Sequence, residues 1–196
     1  MNNGQMVLEI SDCFKETIMP TEDNIIKAEC LTIYEAQEVK NAFKNLSWDI
    51  LKPGLFLKNK AALGYFTDEA FVYYLPAYMK FILSDFELAD VLVNTLIDKL
   101  TLPAESDIQL EYLDYLKDEM KLVDLNEYYK TKLAKIDDSI HWFIKTTALL
   151  SARQSHCVFN FLTCLENQFS GYFSNNILHK AIYRYWFIYQ HKNLIQ

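Results

Sequence analysis

The chain has 196 residues, of which 26 are acidic and 19 basic, for a net charge of −7, and 51% of it is hydrophobic. That is enough apolar material for one full core and too much for a disordered chain, so a single domain over residues 1–196 is expected. Four glycines and four prolines are too few for the turns of a many-stranded sandwich or barrel, which leaves an all-α, single-domain helical bundle of about six to eight helices.

The opening MNNGQMVLEISDC has no basic stretch followed by an apolar one, so no signal peptide is evident, and no run of 18 apolar residues suggests a membrane span. A cytoplasmic chain with reduced thiols at Cys13, Cys30, Cys157 and Cys164 is expected. The first helix falls around Met6 to Ile18. In LTIYEAQEVKNAFKNL, Thr32 and Glu35 have the spacing of a capping box, and Ala36, Val39, Phe43 and Leu46 share the face that follows. Residues 47 to 66, with KPG and NKAALG, form the longest irregular segment and have room for a short strand pair.

In FTDEAFVYYLPAYMKF, Thr67 reads as an N-cap with Asp68 and Glu69 in the first turn, and Phe71, Tyr74, Leu75, Tyr78, Met79 and Ile82 keep helical period. Pro76 removes a backbone donor and costs about 3 kcal/mol in a helix interior, so a break is expected there, with Pro76 opening a second short helix. Ser84 and Glu87 have capping-box spacing again, with Ala89, Leu92, Leu96 and Leu100 as the stripe and Pro103 as the stop. Further helices are expected from Asp107 to Met120 and from Leu125 toward Leu150, turned at polar corners such as KLVDLN and AKIDDS. A third box, Ser151 with Gln154, opens SARQSHCVFNFLTCLENQF, with Val158, Phe161, Leu162 and Leu165 inward and Gly171 as C-cap. The last helix spans Ile177 to Gln190.

An acidic first turn followed by A-F-x-Y-Y-L-P-A-Y-M resembles the central motif of a bacterial helical family described only as a domain of unknown function. The similarity extends to Glu29 and Cys30, to NLSWDIL around Trp48, and to a closing Q-x-x-x-V-x-x-F-L-x-x-L helix in LSARQSHCVFNFLTCL, about two thirds of the chain. The resemblance implies a helical bacterial domain and no catalytic residue. Many members carry further cysteine or histidine near the position of Cys30, and this chain does not.

Chemical motifs are sparse. There is no close-spaced pair of Cys or His for a zinc site, no GxSxG elbow, and neither GxxxxGK[ST] nor GxGxxG for phosphates. Cys157 and Cys164 share a helix face with Phe161 and Leu165 and read as core thiols. No cofactor and no metal is expected, and the chain reads as a non-enzyme. The alternative is a hydrolase or metal-dependent enzyme assembled from scattered residues such as His156, Cys157 and Glu166.

Charge is unevenly placed: residues 1–104 carry −6, 105–138 carry −5, and 139–196 carry +4. Asp107, Glu111, Asp114 and Asp118 recur at helical spacing beside the apolar stripe Ile108, Tyr112, Leu116 and Met120. Like charges one turn apart cost a helix about 0.2–0.5 kcal/mol per pair, so the acids are not there to hold it together. They read as a partner-binding face for a basic protein, and their sign excludes nucleic acid. Tyr183, Tyr185, Trp186, Phe187 and Tyr189 crowd the last helix, which suggests a homodimer through its outer side. Together these features give the expectation of a binding protein, most concretely an immunity protein that occludes a basic toxin domain.

Overall fold

The computed structural model describes residues 2–117, 125–173 and 176–190. Twelve α-helices occur among them: α1 (Asn3–Phe14), α2 (Tyr34–Phe43), α3 (Pro53–Lys58), α4 (Ala62–Tyr65), α5 (Asp68–Ser84), α6 (Phe86–Ala89), α7 (Val91–Lys99), α8 (Glu105–Lys117), α9 (Asn126–Ala134), α10 (Ile136–Thr147), α11 (Ala152–Phe169) and α12 (Ile177–Arg184). Nine have at least seven residues, and no strand is present among the described residues. The chain is thus an all-α single domain, with more helices than the six to eight expected. The segment 47–66 holds a 3-10 turn (Trp48–Ile50), α3 and α4 in place of a strand pair, and its one extended contact is the isolated bridge Ile26 to Phe66. No described helix is long and apolar enough to cross a membrane.

The core is built around α5. Fourteen of its 17 residues are buried, and α1, α7, α10 and the turn Trp48–Ile50 pack around it. A helix apolar on every side must be enclosed on every side. That explains Pro76, which lies inside an unbroken α5 and does not end it, correcting the expected break. The missing hydrogen bond costs about 3 kcal/mol, whereas each large side chain such as Leu75, Tyr78 or Met79 gains roughly 1.5–3 kcal/mol on burial. Packing outweighs the local penalty. Thr67 caps the helix as expected, accepting from the Ala70 amide at 3.1 Å while its hydroxyl donates to the Asn24 carbonyl at 2.7 Å. Asp68 is buried in the first turn, where Thr146 donates to it at 3.0 Å and Lys145 pairs with it at 2.8 Å, fastening α10 to the start of α5.

Other helix ends depart from expectation. α2 begins after Ile33 with no side-chain cap; Glu35 instead accepts from the Tyr65 hydroxyl at 2.8 Å. Ser84 closes α5, its hydroxyl bonded to the Lys80 carbonyl, and Asp85 caps α6. The single helix expected after Ser84 is split at Asp90, which adopts φ 31°. Its stripe Ala89, Leu92, Leu96 and Leu100 is nonetheless buried throughout. The one helix expected from Leu125 toward Leu150 is divided at Lys135 into α9 and α10. Ser151 and Gln154 form the expected box in both directions, at 2.9 and 3.2 Å, and Val158, Phe161, Leu162 and Leu165 are fully buried. Past α11 the chain runs into a 3-10 turn containing Gly171, which has no positive φ and is not a left-handed cap. The final helix stops at Arg184, and Trp186 turns inward to donate to the Leu100 carbonyl at 2.6 Å.

Candidate functional site

α8 presents two different faces. Toward α9 it turns Tyr112, which bonds to Asn126 and packs at a tilt against Tyr129, ring centres 5.1 Å apart. Toward solvent it carries Leu110, Leu113 and Leu116, which are 55%, 50% and 42% exposed, bordered by the exposed acids Glu105, Glu111 and Asp114. Leu116, placed by its spacing in the inward stripe, therefore belongs to the outer face. Met120 lies outside the described residues.

The four acids of the expected partner-binding stripe meet different fates. Asp107 is half-buried and accepts from Arg184 through both carboxylate oxygens and from Lys180 at 2.9 Å. The Arg184 hydrogen bonds, with those of Lys180, hold its carboxyl below the usual carboxylate range against a desolvation penalty. Glu111 pairs with Lys132 of α9 at 2.9 Å. Asp114 is exposed on the outer face, and Asp118 lies outside the described residues. The positive charge of the C-terminal third thus folds back, through Lys180 and Arg184, onto Asp107.

Between α7, α8, α9 and α10 lies a cleft of about 740 Å³. Trp142 forms part of its wall, with the Lys99 and Lys27 ammonium groups 4.8 and 5.7 Å from the ring centre. Desolvation, then repulsion from Lys27, lowers the pKa of Lys99. The Trp142 indole N–H is buried with no hydrogen-bond partner among the described residues, and the ring packs edge-on to Phe71 at 5.5 Å. Lys27, Lys99, Lys132 and Lys135 alternate around the cleft with Glu29, Asp98, Asp107, Glu111 and Asp138. No single-sign field results, so the cleft has no means of concentrating one kind of ion.

A second constellation forms where α1 crosses α11. Glu9 and Cys13 are one turn apart on α1 with Asp12 beside them, and Arg153, His156, Cys157 and Asn160 share one face of α11. A Glu9 carboxylate oxygen and the sulfurs of Cys13 and Cys157 all lie within 4.8 Å of one another. Asn160 donates to Glu9 at 2.8 Å, Arg153 pairs with Asp12, and His156 Nδ1 donates to the Tyr189 carbonyl at 2.5 Å. Cys157 is fully buried, whereas Cys13 is partly exposed and lines shallow crevices on two sides. The hydrogen bond from the Cys157 thiol, then the Arg153 guanidinium, bring the Cys13 thiol down to about 7 despite burial. The same hydrogen bond, together with burial, pushes Cys157 up. Of the residues suggested for an enzyme site, His156 and Cys157 stand here, while Glu166 lies nine residues further along α11, about 13 Å away along its axis.

Comparison with protein-family models, with curated proteins and with solved structures finds no match. Sequence reasoning missed the Asp107 clamp, the Trp142 cleft and the meeting of Cys13 with Cys157. Each joins residues more than 35 positions apart, and no local spacing announces such a pairing.

Proposed function

We propose that this chain is a non-catalytic binding protein, acting as a bacterial immunity protein that covers a basic, partly apolar surface of a toxin domain with the outer face of α8. One observation carries the reading: Leu110, Leu113 and Leu116 stand exposed in a row, bordered by Glu105, Glu111 and Asp114. A contiguous apolar strip rimmed by charge is the usual anatomy of a docking surface. Fully burying a leucine gains roughly 1.5–3 kcal/mol, and these three, already about half covered, would each add about half of that, so they contribute to an interface whose other contacts must offset the rest of the association cost. The acids contribute orientation and speed of encounter, in keeping with the net charge of −7.

The internal pairs change which residues matter most. Asp107 serves the fold, and Glu111 is partly neutralised by Lys132, so the leucines are the groups to disturb. Co-expression with the toxin encoded beside its gene is the test: the wild type protects the cell, and a folded Leu110→Glu, Leu113→Glu variant does not. Protection by that variant would contradict the assignment of the face, and absence of any neighbouring toxin would contradict the assignment of the function.

A further inference from the structure

We propose that Cys13 is a hydroperoxide-sensitive thiol and that Cys157 is its resolving partner, the two closing a reversible disulfide between α1 and α11. The inference stands apart from the binding role of α8. It rests first on geometry. The two sulfurs lie within 4.8 Å of each other on helices that pack along one another, so a bond between them calls for side-chain rotation and a modest approach of the helices. It rests next on the asymmetry of the pair. Cys13 is partly exposed and reached from crevices on both sides, while Cys157 is fully buried directly behind it. An accessible attacking thiol backed by a sheltered second thiol is the arrangement a dithiol needs in order to react once outside and then close inward.

Electrostatics agree. The charged groups around Cys13 are Glu9 and Asp12 on its own helix and Arg153 on α11, with Lys15, Glu16 and Glu69 of α5 lining the crevice on one side. Of these, Arg153 is tied by its ion pair to Asp12 beside the sulfur, where it favours the thiolate. With the Cys157 hydrogen bond, that sets the Cys13 thiol near 7, so a large share is ionised at neutral pH. A divalent cation on Glu9, Cys13 and Cys157 fits less well: among the described residues three donors converge, Arg153 already supplies positive charge there, and Glu9 is engaged by Asn160.

The chemistry balances. The Cys13 thiolate attacks one oxygen of a hydroperoxide, breaking the O–O bond to give a sulfenic acid and releasing water or an alcohol once a proton is taken up. The Cys157 sulfur then attacks the sulfenic sulfur, its proton leaves with the hydroxyl as water, and the S–S bond forms. A small-molecule dithiol reverses the bond.

The test uses the full-length reduced protein. Pulsed iodoacetamide labelling between pH 5 and 10 is expected to modify Cys13 ahead of the other three cysteines with a midpoint at about pH 7. Treatment with hydrogen peroxide is expected to yield a Cys13–Cys157 cross-linked peptide that disappears with dithiothreitol. In Cys157→Ser the expected product is a Cys13 sulfenic acid trapped by dimedone, and Cys13→Ser, at the more exposed position, removes both signals. Labelling of Cys13 with the midpoint of an ordinary thiol would overturn the proposal. So would direct passage of Cys13 to sulfinic acid in the wild type, or zinc that co-purifies and protects both thiols.

Discussion

Asp107 and Arg184, 77 residues apart in sequence, are joined by hydrogen bonds through both carboxylate oxygens, so that α8 is tied to α12. The pair is about one third exposed at Asp107 and one quarter at Arg184, which limits its worth to the upper end of the surface range. Asp107→Asn is expected to lower stability by about 1 kcal/mol in urea unfolding, while leaving partner binding within a few-fold of wild type.

The same pair sets a pH dependence. Asp107 has its folded-state pKa lowered, chiefly by the Arg184 hydrogen bonds. A lowered carboxyl contributes stability above its unfolded pKa of about 3.9 and loses it as pH falls through the folded value. Thermal unfolding of wild type and Asp107→Asn should therefore differ by a constant amount from pH 5 to 8, and the gap should close below about pH 4.

Tyr74 offers a test of the core. Its hydroxyl donates to the Phe43 carbonyl at 2.8 Å in a fully buried setting, and its ring meets those of Phe43 and Phe66 near 5 Å. Tyr74→Phe keeps the ring and leaves the Phe43 carbonyl bonded to the Leu46 amide at 3.2 Å, so the expected loss is that of one hydrogen bond, about 0.5–1.5 kcal/mol. A loss below 0.5 kcal/mol would show that the bond is not made.

Pro76 gives the opposite sign. Because α5 is continuous through residue 76, Pro76→Ala restores a donor for the Val72 carbonyl and removes a penalty of about 3 kcal/mol. It also deletes two buried methylene groups worth about 0.8 kcal/mol each. The net expectation is a gain on the order of 1 kcal/mol, read as a higher midpoint in urea. Destabilisation would place a helix break at this position after all.

The inward faces of α7 and α11 were readable because each sits on a regular 3.6-residue period of large apolar residues, and the Ser151–Gln154 box was readable because both partners lie within one turn. Pro76 misled because local rules see the lost hydrogen bond and not the enclosure on all sides that outweighs it. Thr32 and Ser84 misled for a related reason: a capping pattern occurs by chance, and tertiary packing decides where the chain enters the helix. For the surface, α8 was legible as amphipathic and acidic, but the removal of Asp107 from that surface depends on Lys180 and Arg184 arriving from the far end of the chain. The Cys13 and Cys157 pair has the same character, since Cys157 alone reads as an ordinary core thiol and nothing near it in sequence points to Cys13.

Hydrogen–deuterium exchange of the chain, alone and with the proposed toxin partner, tests the proposed binding role most directly. Slowed exchange across residues 105–117, lost in the Leu110→Glu, Leu113→Glu variant, is the expected result. A stable complex that protects other segments and leaves α8 unchanged would contradict it.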